Sequence, residues 1–336
     1  MHLELVVPAL LPPASAPAAA EAPSLERLLA RGRRGEARPQ DLEAWLADAF
    51  GLEEGPLPAG ALTALAAGEA PGSALWLRAD PVHLRADRDR VLLLPAHAFG
   101  IDAAEAQALA AALAPLLAGE LSLFAFGPEQ WCLRVDAAGA EAGASLLPPI
   151  ALAAADVDPH LPDKRWHRLL TEIQMTLYRH PANAAREQRG APAVNSVWLW
   201  GAGRLPAGAS APWHSVSAGD PAALGLARLA GLRQRAPGGG AEEWLGRAPE
   251  DGRHLVLLEQ LRGAHALGDA AAAGARLREL EARWFAPLRA ALRSGRVGMV
   301  TVHVPEAGLA VETTAADLRR FWRRDRPLAA YAERRP

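Results

Sequence analysis

The sequence predicts an α/β protein: a mostly parallel sheet flanked by helices and interrupted by an inserted α+β domain. Three observations carry this reading. Short apolar runs such as Leu3–Val7, "HLVLLEQL" and "VGMVTVHVP" alternate with amphipathic segments, and strands this apolar need cover on both faces. Between residues 73 and 155 the order becomes strand, strand, helix, strand, strand, the pattern of a compact α+β unit. From Trp166 onward the alternation of helix and strand resumes. The expected division is therefore a core of 1–72 and 156–336, with 73–155 inserted.

The elements follow in order. Leu3–Val7 reads as a buried first strand. Leu25, Leu28 and Leu29 share one face of a helix that starts at Pro23-Ser24 and stops at Gly32. Asp41 to Ala49 is a second short amphipathic helix, followed by the Pro/Gly-rich "GLEEGPLPAG". In the insertion, "SALWLRADPVHL" and "RVLLLPAHAF" flank the polar "RADRD", a hairpin signal. "DAAEAQALAAALAPLLAG" is a helix with Asp102 as N-cap and Gly119 as stop. "ELSLFAFG" and "QWCLRVD" form a second strand pair, and "AAGAEAGASLLPP" is the exit linker. The returning core reads as helix "RWHRLLTEIQMTLYRH", strand "NSVWLW", helix "DPAALGLARLAGL", strand "HLVLLEQL", one long helix "AAAGARLRELEARWFAPLRAALRSG" and strand "VGMVTVHVP". Parallel sheets bind ligands at the carboxyl ends of their strands, so chemistry is expected in the loops after Trp200, Leu261 and His303.

Composition narrows the function classes. A chain of 336 residues that is half hydrophobic can bury a large core. Its formal charge of −2 lacks the basic field that a nucleic-acid track requires. The single cysteine, Cys132, rules out a disulfide framework and any multi-cysteine metal site. Lys164 is the one lysine, and no Gly-Lys-Ser/Thr occurs, so there is no Walker A loop. The N-terminus carries Glu4 and the interrupting Pro8, Pro12 and Pro13, which argues against a signal peptide. No apolar run approaches the roughly 18–20 residues that span a bilayer. A cytoplasmic location, with neither membrane nor nucleic acid as partner, is the expectation.

Candidate site residues concentrate in "HPANAAREQRGAPAVNSVWLWGAGRLP". With Pro181 at the first helical position, His180, Asn183 and Arg186 recur at spacing three and share one sector of a short helix. Imidazole, amide and guanidinium suit an anionic, oxygen-rich ligand; the same groups equally suit capping and scaffold roles. Asn195 begins the next strand, while Arg204 follows Gly201-Ala202-Gly203 and adds a second cation. Trp198 and Trp200 alternate on that strand and read as core. Upstream, "DVDPH" places Asp156, Asp158 and His160 within five residues, a turn or a ligand-holding cluster. No Gly-x-Ser-x-Gly elbow occurs, and Ser24, Ser73, Ser122 and Ser145 have no nearby base. The arginine-rich "LRRFWRRDRP" reads as a solvated helix face or, alternatively, an interaction surface.

"HPANAAREQRGAPAVNSVWLWGAG" resembles the His-Pro-x-Asn-x-x-Arg…Gly-x-Pro-x-x-Asn segment of archaeal-type cofactor-independent phosphoglycerate mutases, of the alkaline-phosphatase superfamily. "DVDPH", "APSLERLLARG", "HLVLLEQLRGAHALGD" and "GMVTVHVPEAG" are similar to further segments of that family. The chain also resembles a bacterial group described either as phosphoglycerate mutase or as RpfE-type regulatory protein. The resemblance implies an alkaline-phosphatase-like α/β core with an inserted α+β domain. In active members it implies two divalent metals (manganese, magnesium or zinc) and a nucleophilic serine.

The departures fall on those catalytic parts. Where the resemblance implies a strand ending in Asp-Gly, the chain has Ala9 and Leu10. Gln40 stands for the serine before Asp41. Arg262 and Gly263 replace acids and Ala266 replaces a metal histidine, leaving Asp269 as a remnant. Val302 replaces the aspartate before His303, the second remnant. The expectation is a catalytically degenerate relative with no catalytic residue, metal or cofactor. It would bind a small phosphorylated or carboxylate metabolite, or a protein partner, in a regulatory role. Its ligand contacts would be Asp158, His160, His180, Asn183, Arg186, Asn195 and Arg204. The alternative is an active mutase or phosphohydrolase with a rearranged metal site, rebuilt by carboxylates such as Asp220 or Glu259.

Overall fold

The computed structural model describes residues 1–11, 21–53, 55–87, 90–136, 147–153, 164–247 and 251–332. The chain opens with β1 (His2–Val6), α1 (Pro23–Arg31), β2 (Arg33–Arg34) and α2 (Leu42–Ala49). Next come α3 (Ala59–Ala67), β3 (Leu75–Asp87), β4 (Arg90–Pro95), α4 (Ala96–Phe99) and α5 (Ala103–Leu117). They are followed by β5 (Leu121–Gly127), β6 (Gln130–Val135), α6 (Lys164–Tyr178), α7 (Pro181–Gln188) and β7 (Ser196–Gly203). The chain then runs through β8 (Ser215–Ser217), α8 (Pro221–Leu229), β9 (Arg233–Arg235), α9 (Ala241–Arg247) and β10 (Arg253–Leu257). It closes with α10 (Arg262–Ala266), α11 (Ala270–Leu280), α12 (Ala286–Ser294), β11 (Met299–Val304), β12 (Leu309–Thr314) and α13 (Ala329–Ala332). Two compact units result: Met1–Glu53 with Ala209–Pro336, and Glu54–Gly208.

The first unit holds a seven-stranded sheet in the order β2-β12-β11-β1-β10-β8-β9. β11, β1, β10, β8 and β9 are parallel, and β12 and β2 close one side antiparallel. Leu3, Leu5, Val256, Val300 and Val302 face a core completed by Leu25 and Leu28 of α1, Trp244 of α9, Leu277 of α11 and Leu288 of α12. This is the parallel, two-face-covered sheet that the apolar runs predict. The long helix expected after Asp269 is instead broken by a π-helical turn, Glu281–Phe285, ahead of Pro287. Proline lacks the N–H that an unbroken helix would use, and a wider turn accommodates the lost bond.

Gly32 is set by close approach. A Cβ there would lie 2.4 Å from Thr313 Oγ1 and 2.6 Å from the Glu312 carbonyl oxygen. Gly32→Ala is expected to cost about 1–3 kcal/mol through overpacking against β12, read as a lower denaturant midpoint with unchanged m-value.

The second unit holds a five-stranded antiparallel sheet, order β4-β3-β6-β5, with β7 paired to β3. α5 starts with the expected cap: Asp102 accepts from Glu105 N at 2.8 Å, and Glu105 reaches back to Asp102 N. α5 and α6 cover one face of the sheet through Leu109, Leu113, Trp166, Leu170 and Ile173, packed on Leu77, Leu133 and Leu199. The sequence reading placed "NSVWLW" in the parallel core sheet, and the structure corrects this. Trp198 pairs with Asp80 and Trp200 with Arg78 on β3, so the strand belongs to the second unit. Both units therefore begin and end away from residues 72 and 156. An apolar strand states that it is covered; it does not name its neighbour, and that is why the boundary moved.

Candidate functional site

The register of the parallel strands brings four strand ends to one edge of the first unit. Val6 of β1 pairs with Leu257 of β10 and with His303 of β11, while Val256 pairs with Ser217 of β8. The residues that leave those strands are Ala9, Glu259, Glu306 and Asp220, the edge at which such sheets place their chemistry. Ala9 N donates to Glu306 Oε2 at 3.2 Å. Gln40 N donates to the Pro305 carbonyl at 3.1 Å, which brings the start of α2 to the same edge.

Arg262, the first residue of α10, stands among these acids. Its Nη2 donates to Glu43 Oε1 of α2 at 3.0 Å, and its Nη1 lies 3.5 Å from Glu259 Oε1. The three side chains are 14, 18 and 25% exposed, so their charges act in a partly desolvated setting. Burial, then the neighbouring Asp220 carboxylate, push the Glu259 carboxyl well above the usual carboxylate range. Burial likewise raises Glu306. The Arg262 guanidinium loses solvation, but Glu43 and Glu259 outweigh that loss and strengthen its hold on its proton.

Two divalent cations do not fit these residues. A guanidinium only donates and cannot give up its charge at neutral pH, so it competes with a metal for Glu43 and Glu259. Among the described residues, no group of three or more His, Cys, Asp or Glu side chains is arranged to hold a metal. Of the two remnants, His303 lies near the end of β11 at this edge, and Asp269 is used by its own helix. Asp269 caps α11 by accepting from Ala272 N at 2.9 Å. Val302 is 1% exposed and faces the apolar core.

His303 points to the opposite face of the sheet from Val302. Its Nε2 donates to Glu4 Oε2 at 3.1 Å, and its ring lies 5.3 Å from that of Trp45. Arg253 holds the other Glu4 oxygen through Nε at 3.0 Å and Nη2 at 2.6 Å. Burial alone would raise Glu4, but the bonds from His303 and Arg253 outweigh it and hold the carboxyl at about 2, against 4.5 in a free chain. A depressed folded-state value contributes stability above the free-chain value and loses it as pH falls through the folded one. The expected loss is about 3 kcal/mol between roughly pH 4.5 and 2. Denaturation at several pH values should show it in the wild type, and Glu4→Gln should flatten that part of the profile.

The residues predicted from "HPANAAREQRGAPAVN" are distributed along α7 and β7 of the second unit. His180 caps α7, its Nδ1 accepting from Ala182 N at 3.2 Å. Asn183, 2% exposed, donates to the Leu177 and Val194 carbonyls and accepts from Val194 N, each at 2.8 Å. Arg186, 1% exposed, donates to Glu105 at 2.6 Å, Gly100 O at 2.7 Å and Pro192 O at 2.8 Å, over the Phe99 ring. Asn195 uses its amide as a peptide group, exchanging 2.8 Å bonds with Leu84 N and O and so extending the β3–β7 ladder. Arg204, exposed, donates to the Ser73 carbonyl. Asn195 and Arg204 sit at opposite ends of an extended strand, on the order of 25–30 Å apart at 3.3 Å per residue. The structure thus groups His180, Asn183 and Arg186 and separates Arg204 from them. Asp158 and His160 lie outside the described residues. Trp198 and Trp200 are buried as expected, the latter donating to Asp80 Oδ2 at 2.7 Å.

No protein-family model matches the chain. A probable 2,3-bisphosphoglycerate-independent phosphoglycerate mutase of Geobacter sulfurreducens is 28% identical over 205 residues, 57% of this chain and 51% of the relative. Over that stretch the chain is similar to a cofactor-independent phosphoglycerate mutase. It spans about half the length of that mutase. The structure of PH0037 protein from Pyrococcus horikoshii shares the fold, with a TM-score of 0.52 at 15% identity over 93% of this chain and 86% of that one. A cofactor-independent phosphoglycerate mutase from Thermoplasma acidophilum covers 98% of this chain and 94% of its own, with 19% identity and a TM-score of 0.48.

Beside the mutase resemblance, the acids that surround Arg262 were incompletely legible. Asp220 and Glu259 were candidates for a rebuilt site, whereas Glu43 and Glu306 were not singled out. The available signal was the charge reversal itself: an arginine in a position expected to be acidic requires partner carboxylates. Glu43, in the first turn of α2, lies close after the Gln40-Asp41 pair where the serine was sought. No helix among the described residues is long and apolar enough to cross a membrane.

Proposed function

We propose that this chain is a phosphoglycerate mutase-like protein that does not transfer phosphoryl groups and acts in regulation. It binds a small phosphorylated or carboxylate metabolite, or a protein partner. The observation that carries this reading is the Arg262 guanidinium between Glu43 and Glu259 at the carboxyl edge of the parallel sheet. Phosphoryl transfer in a two-metal site relies on cations that bridge and neutralise the transferring oxygens, and on an activated nucleophile. Gln40 offers an amide where the nucleophilic hydroxyl is implied, and a carboxamide is not a nucleophile in such a step.

On the ligand side, Arg204 is the most exposed of the described residues in the predicted set. Asn183 and Arg186 support binding indirectly, by fixing the connection between α7 and β7. The reading is tested by assaying purified full-length protein for interconversion of 2- and 3-phosphoglycerate with added manganese, and by counting bound metal. Absence of turnover and substoichiometric metal are expected. Robust manganese-dependent turnover would overturn the proposal in favour of an active mutase with a rearranged site. Calorimetry with both phosphoglycerates, on wild type and Arg204→Ala, tests the metabolite arm; equal heats in the two proteins would remove Arg204 from it.

A further inference from the structure

The segment read from sequence as a solvated helix face is not a helix. Asp317–Arg319 forms one 3-10 turn, and the chain continues through turns and bends to Pro327. Arginines tie this segment to the end of α1. Arg31 Nη1 donates to Leu318 O at 2.6 Å, Arg320 Nη1 to Arg31 O at 3.2 Å and Arg323 Nη1 to Gly32 O at 2.6 Å. The acids of the segment are committed as well. Asp317 pairs with Arg320 at 2.8 Å, and Asp325 takes two bonds from Arg27 at 2.7 and 2.9 Å.

Between this segment, α1 and β12 lies a cleft of about 570 Å³. That volume falls in the range of small-molecule sites. Its floor includes Leu309 and Val311, and Arg34, Arg324 and Arg326 stand on its walls. Among the described residues none of these three has a carboxylate within salt-bridge distance, and all three are exposed where they line the cleft. Tyr331 also lines the cleft; burial raises its phenol, while Arg326 and Arg34 on one side and Glu26 and Asp325 on the other act on it with opposite signs. Trp322, 66% exposed, completes the wall, its ring held edge-on to Phe321 with centroids 5.3 Å apart.

Three guanidinium groups, an available indole and an aliphatic floor describe one kind of ligand better than others. Guanidinium forks match phosphate oxygens pairwise, and an exposed indole stacks on a planar base. Isolated phosphate would leave the indole unused, and a flat neutral ring would leave the arginines unpaired. We infer that this cleft is a binding site for a nucleoside polyphosphate, with Arg34, Arg324 and Arg326 on the phosphates and Trp322 on the base. The site is separate from the Arg262 edge, and the inference does not rest on the reading proposed for that edge.

The test is calorimetry on the full chain, in buffer with chelator, using ADP, pyrophosphate, adenosine and a glutamate-rich peptide as probes. ADP is expected to bind at least about tenfold more tightly than pyrophosphate, the stacking contribution of one base, and adenosine should give no measurable heat. The double variant Arg324→Ala/Arg326→Ala should lose at least about tenfold in affinity for both phosphate probes. Trp322→Ala should reduce ADP to the level of pyrophosphate and leave pyrophosphate unchanged. These side chains are on the surface, and unchanged circular dichroism will confirm that the variants are folded. Failure of ADP to bind at millimolar concentration would overturn the inference. So would ADP affinity unaffected by the double variant, or peptide binding that ADP does not displace.

Discussion

Arg262→Ala is expected to destabilise the protein by about 3–5 kcal/mol at pH 8, the cost of leaving partly buried carboxylates without their counter-ion. Glu43 loses a 3.0 Å bond, Glu259 loses its neighbouring cation, and Asp220 and Glu306 remain close by. The loss should depend on pH in a defined direction. Glu259 and Glu306 carry raised folded-state values, so the folded form holds protons that the unfolded chain has already released. Such groups favour the fold fully below the ordinary carboxylate range and progressively less as pH rises toward the raised value. Removing the guanidinium raises them further, and the penalty should therefore shrink at pH 5, where the folded form holds these carboxyls protonated to a greater extent than at pH 8. Denaturant midpoints of wild type and variant at pH 5 and pH 8 supply the measurement. A loss of equal size at both pH values would show that Arg262 acts by packing alone. No loss at all would mean that the acids do not depend on it. The conservative Arg262→Lys should recover only part of the stability, because a single ammonium cannot span Glu43 and Glu259 as the fork does.

Arg186→Ala is expected to have a comparable effect in the second unit, about 3–5 kcal/mol. The side chain is 1% exposed and gives its donors to the Gly100 and Pro192 carbonyls and to Glu105. Its removal leaves two carbonyls short of a donor and opens a cavity beside Phe99. Glu105 keeps Arg189 as a partner, so the carboxylate itself is not stranded. The consequence is practical: loss of ligand binding in Arg186→Ala would report unfolding as readily as a lost contact. Near-ultraviolet circular dichroism separates the two, because Trp166 and Trp198 belong to the same unit and their signals should collapse with it. A variant with wild-type stability would return Arg186 to the list of free anion contacts. Arg204→Ala, by contrast, touches one backbone carbonyl and leaves the core intact, which makes it the cleaner probe of binding.

The elements with strong local signals were legible. Asp102 caps α5 as expected, and Asp41 and Asp220 cap α2 and α8 in the same way, since a cap is settled within three residues. The two hairpins of the insertion and the buried strands of the core were legible for a similar reason, because period and turn chemistry are local. The short strands β2, β8 and β9 were not, having three residues or fewer and pairing that only the sheet supplies. β7 was recognised as a strand and assigned to the wrong sheet, because its partner β3 lies more than a hundred residues earlier.

For the site, the sequence by itself determined which residues stand where the resemblance implies catalytic groups: Gln40, Arg262 and Val302, each a matter of residue identity. Only the tertiary structure decided what surrounds them. Glu43 comes from a distant stretch of chain to meet Glu259 and Arg262, which are three residues apart, because parallel strands end at one edge. The polar residues around α7 look like a ligand cradle in one dimension and act as braces in three. An amide or guanidinium has the same chemistry whether it grips a ligand or a carbonyl, and burial assigns its donors.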